Sequence, residues 1–286
     1  MPSVGSLAVV FVAGLLTALA TGIGAVPFFL VDEFSDRWNV ALWGIASGIM
    51  VSASLFGLFS EGLAYSSGRP TMLVVGIIAG AALVEVSDRV LDGMDVDAGS
   101  DPEDPVGTGD PDRPAEVEAV TSSDPKKLLL ILGILTVHSF PEGVAVGVSF
   151  AELGLEGGVP VLGFSVPVLA VFMTVAISIH NVPEGTAIAI PMRSMGLSNW
   201  RMVGAAVFSS LPQPVGAVIA FAFVRWAESF LPFGYGFAAG AMVYLVVTEF
   251  VPEALEAGAE LRDGGRRALL AGFVAGVVVM VPLLFV

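Results

Sequence analysis

The chain of 286 residues contains no cysteine, so it can form neither disulfide bonds nor thiolate metal sites. Basic residues are scarce, with 12 Lys and Arg against 27 Asp and Glu. Nucleic acid is excluded as a partner, because phosphate binding requires clustered cations. Any metal site must therefore use the 2 His residues, carboxylates, Met, amides or carbonyl oxygens.

The chain also lacks the polar surface that a soluble globule of its size needs. Hydrophobic residues make up 55% of it and its mean hydropathy is +0.87, which predicts a polytopic membrane protein. Its N-terminus has no basic segment, so the first apolar run predicts a retained helix rather than a cleaved signal peptide. The net charge of −15 indicates a host living in high salt, where carboxylates are screened.

Eight apolar segments are long enough, at 1.5 Å per residue, to cross about 30 Å of hydrocarbon. The sequence therefore predicts an all-α fold of eight transmembrane helices, arranged as three, two and three in one membrane domain. The predicted spans are residues 5–30, 39–63, 70–91, 127–150, 161–191, 201–226, 235–256 and 267–286. Helices 1–3 occupy residues 1–91, helices 4–5 residues 127–191 and helices 6–8 residues 192–286.

Charge predicts the orientation of these helices. If the N-terminus lies outside, ten of the 12 Lys and Arg fall in inner loops, as the positive-inside rule requires. We therefore expect a multi-pass protein of the plasma membrane with both termini extracellular. Residues 92–126 carry eleven acidic side chains and predict a disordered cytoplasmic loop, either a solvated linker or a weak gatherer of metal ions.

Two similar hexapeptides lie in the fourth and fifth predicted helices, HSFPEG at 138–143 and HNVPEG at 180–185. In each, His and Glu are four residues apart and share a helix face. The proline lacks an N–H and frees the carbonyls of Val137 and Ile179 as further oxygen donors. One outer turn joins the two helices, so they run antiparallel and predict a polar site between them near the bilayer midplane.

A charged carboxylate at the centre of a membrane helix costs about 2.5–3.5 kcal/mol. Glu142 and Glu184 would also repel each other, and no Lys or Arg lies at that depth. A divalent cation held by two carboxylates and two imidazoles would offset both costs. The alternative is a polar cluster that shares protons and fixes helix packing.

The two hexapeptides resemble the HNxPEG motifs of the ZIP family of divalent metal transporters. The eight predicted helices and the variable loop after the third are also similar, so the resemblance covers the chain except residues 92–126. It implies a prokaryotic transporter and not an enzyme, and the net charge of −15 adds that the host is a halophile. By this resemblance, metal moves into the cytoplasm through a mid-membrane site by elevator-like alternating access.

The resemblance also implies two adjacent metal positions. In the second, Ser139 replaces the family's usual Asn and Gln213 its usual Glu, so we expect this position to be weaker. Met50, in a segment similar to the family's second helix, and Gln213 could instead serve helix packing. The first position comprises Met50, His138, Glu142, His180 and Glu184, and the weaker one Ser139, Glu142, Asn181, Glu184 and Gln213.

Imidazole, carboxylate and thioether donors favour borderline metals. Zinc is therefore the expected substrate, with Fe2+, Mn2+, Co2+ and Cd2+ also compatible, and no cofactor is expected. Glu61, Glu249 and Glu253 are candidate pathway residues, whereas Glu85 and Asp88 are expected to reach the membrane interface. A metal-selective channel and an intramembrane hydrolase remain alternatives, although the sequence has no His-Glu-x-x-His. The partners are the lipid bilayer and metal ions, and a homodimer is left open.

Overall fold

A computed structural model of the chain describes residues 2–31, 35–68, 70–93, 125–155, 158–161 and 163–282. Long apolar helices dominate this part of the chain. They are α1 (Val4–Ile23), α2 (Asp36–Ala64), α3 (Thr71–Gly93), α4 (Pro125–Ser149), α5 (Val168–Ser194), α6 (Asn199–Trp226), α7 (Glu228–Ala257) and α8 (Arg266–Met280). Most of the acidic loop, residues 94–124, lies outside the described residues, so its predicted disorder stays a prediction.

The outward surfaces of these helices are apolar. Leu16, Ile78 and Val278 are each more than half exposed, which suits lipid and not water. Within the described residues, 6 helices are long and apolar enough to cross a membrane, namely α1, α2, α3, α5, α6 and α7. The all-α, polytopic membrane class is therefore confirmed, while the count of eight spans and their grouping as three, two and three stay predictions.

The apolar run from residue 161 was predicted to be helical throughout, and its start is wrong. Strand β1 (Val159–Val161) pairs antiparallel with β2 (Phe164–Val166), and α5 begins only at Val168. Gly163 adopts a positive φ of 84° between the strands, a conformation that glycine tolerates best. Valine and phenylalanine on both sides of this turn favour extended backbone, which a count of apolar residues does not register.

Three helices contain irregular segments that hydropathy does not reveal. A π-helical stretch, Ala53–Phe59, interrupts α2, and another, Val246–Phe250, interrupts α7 after its 3-10 start at Glu228–Phe230. Helix α6 breaks after Ser209 and resumes at Pro212, because proline lacks an N–H but suits the first turn of a helix. Such irregular turns redirect the side chains that follow them.

Glycine allows pairs of helices to pack backbone against backbone. On α3 and α7, a Cβ on Gly80 would lie 2.0 Å from the carbonyl oxygen of Phe237, and one on Gly240 would lie 2.2 Å from that of Ile77. Similar approaches join α2 to α8, α4 to α6 and α1 to α5. Small residues at such crossings are typical of membrane helices.

These pairings divide the helices into two groups. The first group contains α1, α4, α5 and α6, and the second contains α2, α3, α7 and α8. The groups meet mainly where α4 packs on α7 and where α2 packs on α5. Along the glycine contacts of α2 with α8, α3 with α7 and α4 with α6, residue numbers rise together, so each of these pairs is parallel. This agrees with the up-and-down order predicted from the sequence.

Candidate metal site

Both hexapeptides lie inside helices, with Pro141 within α4 and Pro183 within α5. Their final glycines set the helix spacing. A Cβ on Gly143 would lie 2.2 Å from the carbonyl oxygen of Gln213 on α6, and one on Gly185 would lie 1.8 Å from that of Thr21 on α1. Because no side chain fits at either glycine, α4 packs directly on α6 and α5 packs directly on α1. The glutamates just before the two glycines are therefore buried.

The central cluster consists of Glu142, His180 and Glu184, one ligand atom of each lying within 4.8 Å of the others. The Nε2 of His180 lies 3.0 Å from Oε1 of Glu142, which belongs to the other hexapeptide. All three residues are at most 2% exposed. The imidazole of His180 also stacks on the ring of Phe250 from α7, with centroids 5.1 Å apart.

Several polar atoms at this site are buried and lack a hydrogen-bond partner among the described residues. They are Nδ1 of His180, Oε2 of Glu184 and Oδ1 of Asn181. Buried polar atoms are normally paired, since leaving one unpaired costs about 1–3 kcal/mol. Two of these atoms can act as metal ligands directly, and the amide oxygen can accept from a ligand or bind a cation. The donor set suits a divalent cation of borderline softness.

His138 belongs to a second group of side chains, which we call the flanking cluster and which contains Asp88, His138 and Glu249. Its Nε2 lies 2.9 Å from Oδ1 of Asp88, and its Nδ1 lies 2.9 Å from Oε2 of Glu249. Glu184 interacts electrostatically with both His138 and Glu249, so the two clusters are neighbours. The structure thus divides the His and Glu residues predicted for the first metal position between two clusters.

Three of the residues predicted for the weaker metal position, Glu142, Asn181 and Gln213, form a hydrogen-bonded network. Gln213 donates through Nε2 to Oε2 of Glu142 at 2.5 Å, and its Oε1 accepts from Nδ2 of Asn181 at 3.1 Å. Asn181 also donates to the carbonyl oxygen of Thr17 at 2.8 Å. Ser139 is fully buried and has a polar contact of its own. The network includes the helix-to-helix hydrogen bond considered as the alternative role of Gln213.

The remaining predicted residues lie around these clusters. Met50 is fully buried on α2, the helix that packs on α5. Glu61 is partly buried near the end of α2 and interacts electrostatically with Glu152, and Glu253 interacts in the same way with Glu249. Of the three pathway candidates, only Glu249 joins a cluster of potential metal ligands within the described residues.

Next to Glu61, the hydroxyl of Tyr65 donates to the carboxylate of Glu152. Burial of the phenol, together with that hydrogen bond, raises the pKa of Tyr65. The hydroxyl therefore stays protonated near neutral pH and remains a donor. This contact ties the end of α2 to the turn that follows α4.

Sequence reasoning missed Asp88, which was expected to reach the membrane interface. Glu85 on the same helix pairs with Arg89, one helical turn later, and accepts from Tyr244. Asp88 has no Lys or Arg three or four residues away on either side. Its partner therefore had to come from another helix, and that partner is His138. The missing cation at helical spacing was the signal that could have identified it.

Comparison with known proteins adds a family match to this geometry. A family model described as ZIP Zinc transporter matches residues 94–284. The chain is 37% identical over 244 residues to the provisionally named zinc transporter At3g08650 of Arabidopsis thaliana. This alignment covers 85% of the chain and 34% of the plant protein, so the chain spans about a third of that relative.

Two bacterial relatives match over most of their own length. Zinc transporter GufA of Myxococcus xanthus is 29% identical, with 93% of this chain and 96% of that protein aligned. Zinc transporter ZIPB of Bordetella bronchiseptica is 30% identical, with 91% of this chain and 75% of that protein aligned. The similarity therefore extends over nearly the whole chain and is not confined to the two hexapeptides.

Proposed function

Because the chain belongs to the ZIP family, we propose that it is a membrane transporter that carries divalent transition-metal ions, zinc first, into the cytoplasm. The observation that supports this most is the central cluster. Two buried carboxylates and an imidazole converge in a stretch, residues 128–192, that contains no Lys or Arg. A divalent cation supplies the missing positive charge. The names of the relatives favour transport over catalysis, and zinc over other metals.

The first metal position comprises the central cluster, with Met50 and His138 completing the ligand set when the ion is bound. Imidazole and thioether favour zinc, and the carboxylates leave Fe2+, Mn2+, Co2+ and Cd2+ as weaker substrates. Asn181 and Glu184 each have a buried oxygen that lacks a hydrogen-bond partner among the described residues, which supports this assignment. Binding requires deprotonated ligands, so loading releases protons and weakens in acid.

We place His138 between the central cluster and the flanking cluster on the path of the ion. On α4 it precedes Glu142 by one turn, and its partners Asp88 and Glu249 lie toward the C-terminal ends of α3 and α7. By the positive-inside rule those ends face the cytoplasm. The ion therefore passes from the central cluster to the flanking cluster through His138 and leaves past Glu253. Glu61 lies near the C-terminal end of α2, which faces the opposite side of the membrane, and we place it on the entry side.

The two helix groups support movement of the site as a unit. Both Glu142 and Glu184 belong to the group of α1, α4, α5 and α6, which is joined internally by backbone contacts at glycine. Asp88 and Glu249 belong to the other group. Sliding of the first group against the second would carry the central cluster along the membrane normal, which is elevator-like alternating access.

Uptake of radioactive zinc into proteoliposomes tests the proposal. Glu142→Ala and Glu184→Ala should each lower the initial rate at least about 100-fold. Removing a residue that only hydrogen-bonds a metal ligand typically costs about 10–100-fold, and removing the ligand itself should cost more. Glu260→Ala is the matched control, because Glu260 is exposed and lies outside both clusters, and it should keep the wild-type rate.

The dependence of transport on metal concentration and on driving force distinguishes a carrier from a channel. A carrier gives saturable uptake, whereas a channel gives currents that stay linear with driving force. Wild-type rates in both carboxylate variants, with thermal unfolding unchanged, would remove the basis for the proposed function.

A further inference from the structure

We infer that the side-chain amide of Gln213 takes the place of a second cation beside Glu142, so the central cluster holds one metal ion at a time. This inference rests on the proposed function, because it requires Glu142 to be a metal ligand. It assigns Gln213 and Asn181 as positioning residues that hold that ligand. The weaker second position is then occupied by an amide and does not fill with metal.

The direction of each hydrogen bond in the network is fixed by its two ends. The carbonyl oxygen of Thr17 can only accept, so the nitrogen of the Asn181 amide must face it, and this nitrogen also donates to Oε1 of Gln213. The Gln213 nitrogen must then face the carboxylate of Glu142, which can also only accept in its ionised form. With both amides reversed, an amide oxygen would face an acceptor oxygen at each end of the network, at Thr17 and at Glu142.

This network crosses all four helices of the first group. It begins at Thr17 on α1, continues through Asn181 on α5 and Gln213 on α6, and ends at Glu142 on α4. Asn181 and Gln213 are fully buried, so water does not compete for their hydrogen bonds. The opposite carboxylate oxygen of Glu142 faces His180. Glu142 is thus held from both sides by side-chain partners.

A second divalent ion at Oε2 of Glu142 would have to displace the Gln213 nitrogen from a 2.5 Å hydrogen bond. The displaced amide would lose its acceptor inside a buried site, which is unfavourable. Two ions would also share Glu142 and Glu184 as the only carboxylates of the central cluster. Their mutual repulsion at short range in a low dielectric would therefore be poorly offset. A neutral donor satisfies the same oxygen without adding a charge.

Manganese binding by the purified full-length protein tests this inference, because two Mn2+ ions bridged by one carboxylate give an exchange-coupled electron paramagnetic resonance spectrum. After removal of weakly held metal, the wild type should show uncoupled Mn2+ only. Gln213→Glu should raise the metal-to-protein ratio by one and produce the coupled spectrum, since it adds a carboxylate and removes the donor.

Two variants serve as controls. Gln213→Leu removes the donor without adding a carboxylate, so it should weaken Mn2+ binding and show no coupled spectrum. Glu142→Gln placed on the Gln213→Glu background should abolish the coupled spectrum. A coupled spectrum in the wild type overturns the inference even if no variant folds. A folded Gln213→Glu protein with an unchanged ratio also overturns it.

Failure of the proposed function would look different. In that case Glu142→Ala would leave the Mn2+ content of the otherwise wild-type protein unchanged. That result would reject Glu142 as a metal ligand, and it would not bear on how many ions the central cluster holds.

Discussion

The two hexapeptides are nearly identical in sequence but have different partners in the structure. An antiparallel pair of equal motifs should be related by a two-fold axis, so that each His meets the Glu of the other motif. His180 does so, with its Nε2 3.0 Å from Glu142. His138 instead contacts Asp88 and Glu249, and Oε2 of Glu184 has no hydrogen-bond partner among the described residues.

The difference arises outside the motifs. Helices α3 and α7 belong to the second helix group and place Asp88 and Glu249 next to His138, whereas His180 meets the aromatic ring of Phe250 from the same group. The polar partner of His180 therefore lies in the group that carries the central cluster, whereas both polar partners of His138 lie in the opposite group. Under the proposed function, the two motifs would then have unequal roles, one in binding and one in transfer.

Removal of each His in turn should reveal the largest difference between the two motifs. His180→Ala should weaken zinc binding at the central cluster by at least about 100-fold, because it removes a ligand that is paired with Glu142. His138→Ala should weaken binding less and lower the maximal uptake rate, because the ion loses its route to Asp88 and Glu249. Equilibrium zinc competition and uptake kinetics, measured on the same preparations, separate the two effects.

Equal losses of affinity in the two variants would show that both His residues act as equivalent ligands. The unequal roles assigned to the two motifs would then be wrong.

The motif glycines offer a comparison with a smaller expected effect. Gly185→Ala and Gly143→Ala should each destabilise the protein by about 1–3 kcal/mol, because the new Cβ atom would overlap a backbone carbonyl of α1 or α6. Gly204→Ala is the matched control, since a Cβ there meets nothing within 4 Å. Alanine should stabilise that helical position by up to about 1 kcal/mol.

Thermal unfolding in detergent measures all three substitutions. A melting temperature for Gly185→Ala equal to that of Gly204→Ala would contradict the close approach of α5 to α1.

Sequence predicted the membrane class and the main polar residues because membrane spans and buried charge leave strong local signals. The position of Gln213 near a break in α6 was also detectable, since prolines flank it at positions 212 and 214. The partners of His138 were not predicted, because Asp88 and Glu249 come from helices far along the chain. Glu249 lies in a π-helical stretch, where ordinary helical spacing does not apply.

The hairpin before α5 shows where hydropathy fails to predict the type of local structure. Hydropathy alone cannot distinguish a short apolar strand from the first turn of a membrane helix, so the strand residues Val161 and Phe164–Val166 were assigned to a helix. This error leaves the site unaffected, because α5 is regular from Val168 through the hexapeptide at 180–185.

Locating the bound ion tests the central claim most directly. Anomalous scattering at the zinc edge, from crystals of the purified protein equilibrated with zinc, should give a peak about 2.0–2.2 Å from the ligand atoms of Glu142, His180 and Glu184. The same peak should vanish in Glu184→Ala. Zinc found only at other positions, with the central cluster empty, would contradict the account.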